Sequence, residues 1–449
     1  MRPVLLARAA VLALSLAAAA TLSAQRVVIR DVTVIPMDRE ARVPGQHVVL
    51  EQGRITSVGA TPVAARPGDI AVNGSGKFLM PGIAEMHGHV GSAAQNPRIL
   101  ALYALFGVTT TRGMLGAPQH LALRDSLAQG LVLGPRFITS GPSFNNNTVT
   151  SPAQAAARVR EQHAAGYDLL KIHPGIPAEA FDSLAAAAHA VGIPFGGHVP
   201  LDVGLEGAIR HRFSTIDHLD GFIEALWPGP RPITAQQTGW FGLNLVPTID
   251  RSRLPALVAQ VKAAGIAQVP TQSLMDSYVS DETGEQLAQR PEMQYWFANQ
   301  VANWTANKNA FLANGPASPA QRAAFTALRH EILRELHRAG VLLLLGSDAP
   351  QVWNVPGAST HRELQSLVAA GLSPYDALRT GTVNIATFLG EPGRSGVVTA
   401  GARADLILLD ADPLTDIRNT LRISGVAVNG RWISGEERER QLAAFAAAR

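Results

Sequence analysis

Short apolar runs alternate with Ala- and Leu-rich helical stretches from residue 82 to residue 394, and this alternation constrains the fold more than any other feature. It predicts βα units around a parallel sheet, and therefore an α/β protein. Eight such runs suit a (β/α)8 TIM-like barrel, in which reactive groups gather at the carboxyl ends of the strands. A doubly wound open sheet is the alternative, but it would want a Gly-rich phosphate-binding turn after an early strand, and we find none. The candidate strands are Gly82–Val90, Gly107–Arg112, Arg136–Ser140, Tyr167–His173, Ile193–Val199, Thr215–Leu219, Leu243–Ile249 and Val341–Ser347.

Two β-rich segments, residues 25–80 and 395–449, flank the barrel region of residues 81–394. Each holds short strand-like runs between turn residues, and the second ends in a predicted helix over Glu436–Arg449. Neither segment is long enough for a stable sheet of its own, so we expect the two to pair into one small composite β-sandwich domain. The strands predicted there are Val27–Arg30, Val32–Pro36, His47–Glu51, Arg54–Val58, Asp405–Leu409, Ile423–Asn429 and Arg431–Ser434.

Residues 251–340 are too many for an ordinary connection between barrel elements. We expect them to form a mostly helical insertion that lies over the strand ends. Its aromatic residues Tyr295, Trp296 and Trp304 either shape an apolar pocket or pack inside the insertion.

Residues 1–24 have the layout of a secretory signal peptide. Arg2 and Arg8 precede the apolar run Ala9–Ala20, and small residues follow this run before Gln25. We therefore expect export to the periplasm or beyond, with no stable membrane anchor. Without these residues the chain has 36 basic and 35 acidic residues, because both charges lost from the full count of 38 and 35 are arginines. So small a net charge gives no reason to expect nucleic acid as a partner.

The strongest local motif is Met80-Pro-Gly-Ile-Ala-Glu-Met-His87-Gly-His89. Alternate residues of a strand lie on the same face, so His87 and His89 project together. Two neutral imidazoles on one face can chelate a divalent metal ion. The competing interpretation is a pair of unrelated histidines at a strand end.

Lysine is scarce, since only four of the 38 basic residues are Lys. Lys171 nevertheless ends an apolar run, Tyr-Asp-Leu-Leu-Lys171-Ile-His173. A lysine there is costly unless it is paired or its pKa is lowered by desolvation and nearby cations. A neutral ε-amine near metal ions can add carbon dioxide and become a carbamate that bridges two ions. A snorkelling lysine, or one half of an ion pair, is the alternative.

Three further polar residues each follow an apolar run: His198 in Gly-Gly-His198-Val-Pro, His218 in Ile-Asp-His218-Leu-Asp, and Asp348 in Leu-Gly-Ser-Asp348-Ala-Pro. Each histidine alone would more often be structural than a ligand. Two consecutive candidate strands that end in the same way favour ligands. Asp348 alone could instead be the N-cap of a helix.

The order His-x-His, Lys, His, His, Asp on predicted strands one, four, five, six and eight resembles the binuclear metal hydrolases of the amidohydrolase superfamily. The flanking residues are most similar to the imidazolonepropionase-like and Xaa-Pro dipeptidase (prolidase)-like members. Gly107-Val-Thr-Thr-Thr-Arg112-Gly resembles their second strand, although Gly113 stands where an Asp is usual, and residues 401–414 resemble their C-terminal β signature. A true imidazolonepropionase needs one metal and no carboxylated lysine, so Lys171 argues against that assignment.

The resemblance implies two divalent ions, with zinc as the first choice from the ligand set. One ion would be held by His87, His89 and Asp348, and the other by His198 and His218. N6-carboxylated Lys171 and a hydroxide would bridge the two ions. Asp348 would then take the proton of that hydroxide and pass it to the leaving group.

The implied reaction is hydrolysis of the amide C–N bond of a small molecule: a Xaa-Pro dipeptide, an N-acyl amino acid or a related carboxamide. A lactone, carbamate or other ester hydrolase is the nearest alternative. A catalytically inactive ligand-binding barrel is the alternative from another class. A homo-oligomer is compatible with the sequence.

Four residues are candidates for substrate contacts. His173 lies two positions beyond Lys171, and on the same strand face it could bind substrate or stabilise an oxyanion. Arg112 either meets a substrate carboxylate or forms an internal ion pair. His361 could face the mouth of the barrel or be exposed in the first turn of its helix, and Tyr295 could contact substrate if the insertion shapes the pocket.

Overall fold

A computed structural model describes residues 26–315 and 317–448 of the chain. The predicted signal peptide, residues 1–24, lies outside the described residues. Among those described, no helix is long and apolar enough to cross a membrane.

The described strands and helices follow the predicted alternation. The strands are β1 Val27–Val34, β2 Val43–Glu51, β3 Arg54–Gly59, β4 Ile70–Asn73, β5 Phe78–Pro81, β6 Ile83–Gly88, β7 Val108–Gly113, β8 Arg136–Thr139, β9 Leu170–Ile172, β10 Phe195–Gly197, β11 Thr215–Asp217, β12 Ala267–Val269, β13 Leu406–Leu409, β14 Ile423–Val428 and β15 Arg431–Ser434. The α-helices are α1 Asn96–Leu105, α2 Gln119–Ala128, α3 Pro152–Ala165, α4 Ala178–Val191, α5 Gly204–Arg210, α6 Phe222–Leu226, α7 Ala235–Thr238, α8 Leu254–Ala263, α9 Gln272–Val279, α10 Gly284–Ala288, α11 Ala298–Asn314, α12 Pro319–Arg338, α13 Ala358–Ala369, α14 Pro374–Thr380, α15 Val383–Phe388 and α16 Gly435–Ala447. Short 3-10 helices span Trp240–Thr248, Arg251–Arg253, Pro291–Tyr295 and Ile417–Leu421.

Strands from both terminal segments form one sheet, in the order β15-β14-β13-β5-β1-β2-β3, with β4 paired to β1. The two segments join where β5 runs antiparallel to β13, with Met80 opposite Ile407. Apolar side chains of both segments, including Val32, Leu79 and Leu408, pack in one buried cluster on this sheet. Neither segment therefore buries its apolar face without the other.

The strands between these segments are short, buried and parallel. One sheet has the order β6-β7-β8 and a second the order β12-β11-β10-β9. A parallel bridge between Ser140 and Leu169 links β8 to β9, and another between Gln268 and Leu343 links β12 to the predicted eighth strand. The Met86 N–H on β6 donates to the Leu345 carbonyl at 2.8 Å. The extended backbone of residues 341–347 therefore lies between β12 and β6.

Local signals set the helix ends between the strands. The Ser151 hydroxyl caps α3 by accepting the Gln154 N–H, Pro152 begins the helix, and Gly166 ends it with a φ of 87°. Proline at the start and left-handed glycine just past the end are the usual helix punctuation, because the first N–H needs no partner and glycine carries no Cβ.

The predicted seventh strand, Leu243–Ile249, is wrong. Residues Trp240–Thr248 form 3-10 turns interrupted by a kink at Phe241 and Gly242, and they contain Pro247. The strand next to β11 is instead β12, Ala267–Val269. β12 lies inside the range predicted as the insertion. The helices α9, α10, α11 and α12 follow it before the last barrel segment. Trp304 of α11 packs edge-on against Trp353, with ring centroids 5.8 Å apart, so this helical region contacts the loop after Asp348.

Candidate metal centre

His87, His89 and Asp348 come together although the last stands far from the other two in the sequence. The ligand atoms of the three residues all lie within 4.8 Å of one another. His89 Nε2 is 2.7 Å from Asp348 Oδ1, and His87 Nε2 is 3.5 Å from the same oxygen. β6 carries both histidines to its carboxyl end, as the His-x-His spacing predicted.

His198 and His218 extend this group. The ring centroid of His218 lies 4.6 Å from that of His87 and 4.4 Å from that of His198. Asp348 faces both sides, because its second oxygen, Oδ2, is 3.8 Å from His218 Nδ1. The structure therefore brings all four histidines and the aspartate to one place.

Three of these histidines are held by the same ring atom. The Nδ1 atom of His87 lies 2.6 Å from Asp217 Oδ2, that of His198 lies 2.8 Å from Asp220 Oδ2, and that of His218 lies 2.8 Å from Thr271 Oγ1. A partner on one ring nitrogen fixes the tautomer and leaves the other nitrogen free to bind a metal ion.

Lys171 is fully buried beside this group, with its Nζ 3.3 Å from His87 Nε2. Gly197 of β10 makes the room, since a Cβ there would lie 2.7 Å from the Ile172 carbonyl oxygen and 2.9 Å from Lys171 Cδ. Burial lowers the pKa of Lys171, with Arg112 adding to the effect and Asp217 and Asp348 opposing it. The structure therefore favours an amine that loses its proton more readily than a solvated lysine.

Burial also keeps the imidazoles neutral. It lowers the pKa of His87 and His218 well below the usual value, and Lys171 or neighbouring histidines add to the effect. The pKa of His198 is lowered to about 3, mainly by burial and then by Lys171. Neutral imidazole is the form that binds a metal ion.

The backbone is strained at the two strand ends that carry His218 and Asp348. Their φ angles are 62° and 64°, in the left-handed region that residues with a Cβ avoid. Arg329 of α12 holds the first position, because its guanidinium donates to the His218 carbonyl at 2.8 Å and to the Pro270 carbonyl at 3.0 Å. Such strain persists only where the surrounding structure fixes it.

Glu85 supports the other side of the centre. Its carboxylate accepts hydrogen bonds from the His87 and Ser347 N–H groups and from the hydroxyls of Ser347 and Thr360. Burial raises the pKa of Glu85 to about 7 despite these bonds. This one side chain therefore ties β6 to the segment that carries Asp348.

Arg112, a candidate for substrate contact, lies inside the protein beside the six candidate ligands. Arg112 is buried and donates to the Met86 carbonyl at 2.7 Å, to Thr215 and to Asp217. Of the two alternatives for Arg112, the structure shows the internal ion pair, with Asp217.

His361 and Tyr295, two further candidates for substrate contacts, both contact Phe106. His361 is fully buried, with its two ring nitrogens 2.9 Å from Thr420 Oγ1 and 2.7 Å from the Phe106 carbonyl oxygen. Tyr295 packs edge-on against the Phe106 ring at 5.9 Å, close to helix α16. Both side chains are used in packing around the end of α1.

His173 does lie beside the centre. Its ring stacks on that of His198 with centroids 5.2 Å apart, and burial lowers its pKa to about 3. A neutral ring there can donate or accept one hydrogen bond at a substrate atom.

Sequence reasoning missed Asp217, Asp220 and Thr271, which hold the histidines. A signal was present for two of them, since Asp217 precedes His218 and Asp220 follows it by two positions. Thr271 had none, because it approaches His218 only through the pairing of β11 with β12.

The donor set fits divalent metal ions. His218 Nε2 is buried and has no hydrogen-bond partner, which is costly unless something else occupies its lone pair. Neutral imidazole nitrogens and a carboxylate, within reach of one another, match the ligands of zinc and related ions.

The model of the Amidohydrolase family matches residues 78–433. The chain belongs to this family. Membership confirms the predicted resemblance and the enzyme class, a hydrolase that acts on carbon–nitrogen bonds. The family is a TIM-barrel fold and is generally metal-dependent. Among curated proteins, no relative matches the chain.

Solved structures of the family have the same fold. Bottromycin amidohydrolase is 23% identical, with a TM-score of 0.71 over 94% of this chain and 90% of that chain. A Xaa-Pro dipeptidase with methionine bound in its active site is 17% identical, with a TM-score of 0.66 over 92% and 100% of the two chains. A prolidase complexed with N-methylphosphonate-L-proline is 20% identical, with a TM-score of 0.64 over 91% and 100%.

The raised pKa of Glu363, whose carboxylate binds the two residues directly after Thr271, can be tested. Its carboxylate accepts the Gln272 and Ser273 N–H groups at 2.8 and 2.7 Å, and burial raises its pKa from 4.5 to about 8. The folded protein therefore keeps this proton at pH values where the unfolded chain has lost it, so the stability from this group falls as pH rises from 4.5 to 8. A Glu363→Gln variant cannot titrate there.

We expect the free energy of unfolding of the wild type, minus that of Glu363→Gln, to decrease with rising pH across this range. Urea unfolding of both proteins at several pH values measures it. The control is Glu179→Gln, at an exposed position in the first turn of α4, which should leave the difference flat. A flat difference for Glu363→Gln as well would contradict the raised pKa.

Proposed function

We propose that the chain hydrolyses the amide C–N bond of a small molecule at a centre of two divalent metal ions. The observation that carries the proposal is the common arrangement of His87, His198 and His218. Each is held at Nδ1, so that Nε2 is left for a ligand beside Lys171 and Asp348. Family membership supports the reaction class.

The two ion sites follow from this arrangement. His87, His89 and Asp348 would hold one ion, and His198 and His218 the other, with zinc as the first choice. Lys171, carboxylated at Nζ, would bridge them. Its burial and lowered pKa support the carboxylated form, because the neutral amine is the form that adds carbon dioxide.

The residues of the chain would then divide the work. When bound, two divalent ions lower the pKa of a water molecule between them and polarise the scissile carbonyl. Asp348, which reaches both halves of the centre, would accept the proton at a carboxylate oxygen and return it to the leaving nitrogen. His173, neutral and stacked on His198, would hydrogen-bond the substrate.

Three further points belong to the proposal. The bridges at Ser140–Leu169 and Gln268–Leu343 and the Met86–Leu345 hydrogen bond support closure of the strands into an eight-membered barrel. The composite sheet would form the β-sandwich domain predicted for the termini. The arginine-led apolar start of the sequence supports export by a signal peptide.

Metal analysis and an activity panel test the proposal. Zinc-loaded protein is expected to hold about two equivalents, and His198→Ala to hold about one, because the Asp348 side keeps its ligands. His163→Ala, an exposed position on α3, should retain both. Electron density beyond Lys171 Nζ would report the carbamate. A protein that holds far less than two equivalents, and whose activity survives chelation, would refute the binuclear centre.

The panel comprises Xaa-Pro dipeptides, N-acyl amino acids, lactones and carbamates. We expect turnover of amides in the metal-loaded protein and its loss on chelation. Turnover of lactones or carbamates alone would favour the alternative function, a lactone, carbamate or other ester hydrolase that uses the same site.

A further inference from the structure

A cavity of about 940 Å³ lies directly beside the candidate metal centre. Its wall includes His198 and Asp220 and continues over the chain after β10 and around α6 to the 3-10 helix at Trp240. Ligand pockets for drug-sized molecules have volumes of about 300–1,000 Å³. This cavity is at the upper end of that range, which is more space than a dipeptide needs.

The wall between the cavity and the centre is aromatic. Phe241 presents its ring edge to His218, with centroids 5.5 Å apart, and lies 6.3 Å from His198. Trp240 meets Phe241 at 4.8 Å and stacks on Tyr278 at 4.1 Å. Aromatic side chains of this kind offer a large contact area to apolar and aromatic ligand groups.

The turn that presents these rings is conformationally costly. Phe241 has a φ of 48° and a ψ of 38°, in the left-handed region. Gly242 follows with a φ of 81°, and a Cβ there would lie 2.8 Å from the Ile223 side chain. Strained backbone positions of this kind cluster at functional sites. The turn therefore points to a fixed wall next to the centre.

Three of the six charged side chains in the cavity wall are already bound to the protein. Asp220 faces His198 Nδ1, Arg253 donates to the Trp227 carbonyl at 3.2 Å, and Arg231 donates to the Glu224 carbonyl at 2.6 Å. The Glu224 carboxyl is a polar group in the same wall. The rest of the wall combines apolar residues, including Val199, Leu201 and Ile233, with the exposed Asp202 and Glu206.

We propose that this cavity is a subsite for a large apolar group, so that the substrates are amides with a bulky aromatic or long aliphatic group on one side of the scissile bond. The inference rests on the proposed amide hydrolysis and narrows its substrate class. Small dipeptides would react slowly, because they leave the aromatic wall in contact with water. Trp240, Phe241 and Leu201 would set this preference.

Two substrate series test the inference. In one, N-acyl-alanines carry acetyl, hexanoyl and 2-naphthoyl groups; in the other, N-acetyl amino acids carry Ala, Phe and Trp. In at least one series kcat/KM is expected to rise by about 100-fold from the smallest to the largest member, because burial of one aromatic group stabilises the bound substrate by about this factor. Equal kcat/KM throughout both series would overturn the subsite and leave the proposed function intact.

A cavity-filling variant separates the subsite from the metal chemistry. Leu201 lines the cavity and is 38% exposed, so Leu201→Trp is expected to fold normally. It should lower kcat/KM for the 2-naphthoyl or Trp substrate about tenfold more than for acetyl-alanine. The control is Leu131→Trp, at a 69% exposed leucine outside the cavity wall, which should change neither value. A loss of equal size on large and small substrates would contradict the assignment.

Calorimetric binding of 2-naphthoate and acetate gives a readout that needs no turnover. We expect 2-naphthoate to bind the wild type more tightly, and Leu201→Trp to weaken it about tenfold. If no amide is hydrolysed but this pattern holds, the proposed function fails and the apolar subsite stands. If 2-naphthoate and acetate bind with equal affinity, the apolar subsite is refuted, whatever the activity on amides.

Discussion

An Asp348→Asn variant is expected to lose about 10³-fold in kcat, which is the size of a missing general base. The amide has the shape of the carboxylate and can still face His89 Nε2, 2.7 Å away in the wild type. It cannot accept and return a proton at neutral pH. The fold should hold, because Asn tolerates the left-handed φ of 64° that this position requires.

Steady-state kinetics on the best amide of the panel, together with metal content by mass spectrometry, measures the effect. The variant should keep more of its metal than of its turnover. Asp125→Asn, at a 67% exposed side chain on α2, is the matched control and should match the wild type. Wild-type kcat in Asp348→Asn would refute the proton transfer, and a complete loss of metal would assign Asp348 a purely structural role.

The second large effect is expected at Asp217, which is buried and serves two partners. It lies 2.6 Å from His87 Nδ1 and 3.4 Å from the Arg112 guanidinium. Asp217→Asn leaves the arginine charge buried without its counter-ion, at a cost of about 3–5 kcal/mol in the free energy of unfolding. Loss of the carboxylate behind a metal-binding histidine should also weaken metal affinity by about 10–100-fold.

Two comparisons separate these effects. Glu335→Gln breaks an exposed pair with Arg338 and should cost less than about 1 kcal/mol. The double replacement Arg112→Met with Asp217→Leu removes both charges, so it should recover much of the stability while metal affinity stays low. Recovery of metal affinity along with stability would show that Asp217 acts only on the fold. Urea unfolding of metal-free protein and zinc titration supply the two measurements.

The meeting of the candidate ligands could be predicted from the sequence because each stands at the end of an apolar run, and parallel strands bring their carboxyl ends to one place. The run Leu243–Ile249 looked equally apolar but folds as a 3-10 helix, since Pro247 lacks the N–H that a central strand needs. The true strand, β12, is three residues with a buried Gln268 at its centre, and no periodicity identifies so short a run.

The direction in which a side chain points was not predictable in the same way. Arg112 stands at a strand end like the ligands, yet its guanidinium lies between strands and bonds Asp217. His361 begins a helix after the last barrel segment, yet its ring bonds Phe106 across the core. Both outcomes depend on partners distant in sequence, which a single chain read residue by residue does not reveal.

The sheet built from both ends of the chain has a consequence for biosynthesis. β5 forms its pair with β13 only when residues 406–409 have left the ribosome, and the Met80–Ile407 pair joins positions more than 300 residues apart. A product that stops short of β13 would leave one edge of β5 open, and open edges invite aggregation and proteolysis. A chain truncated before β13 is therefore expected to aggregate or to be degraded.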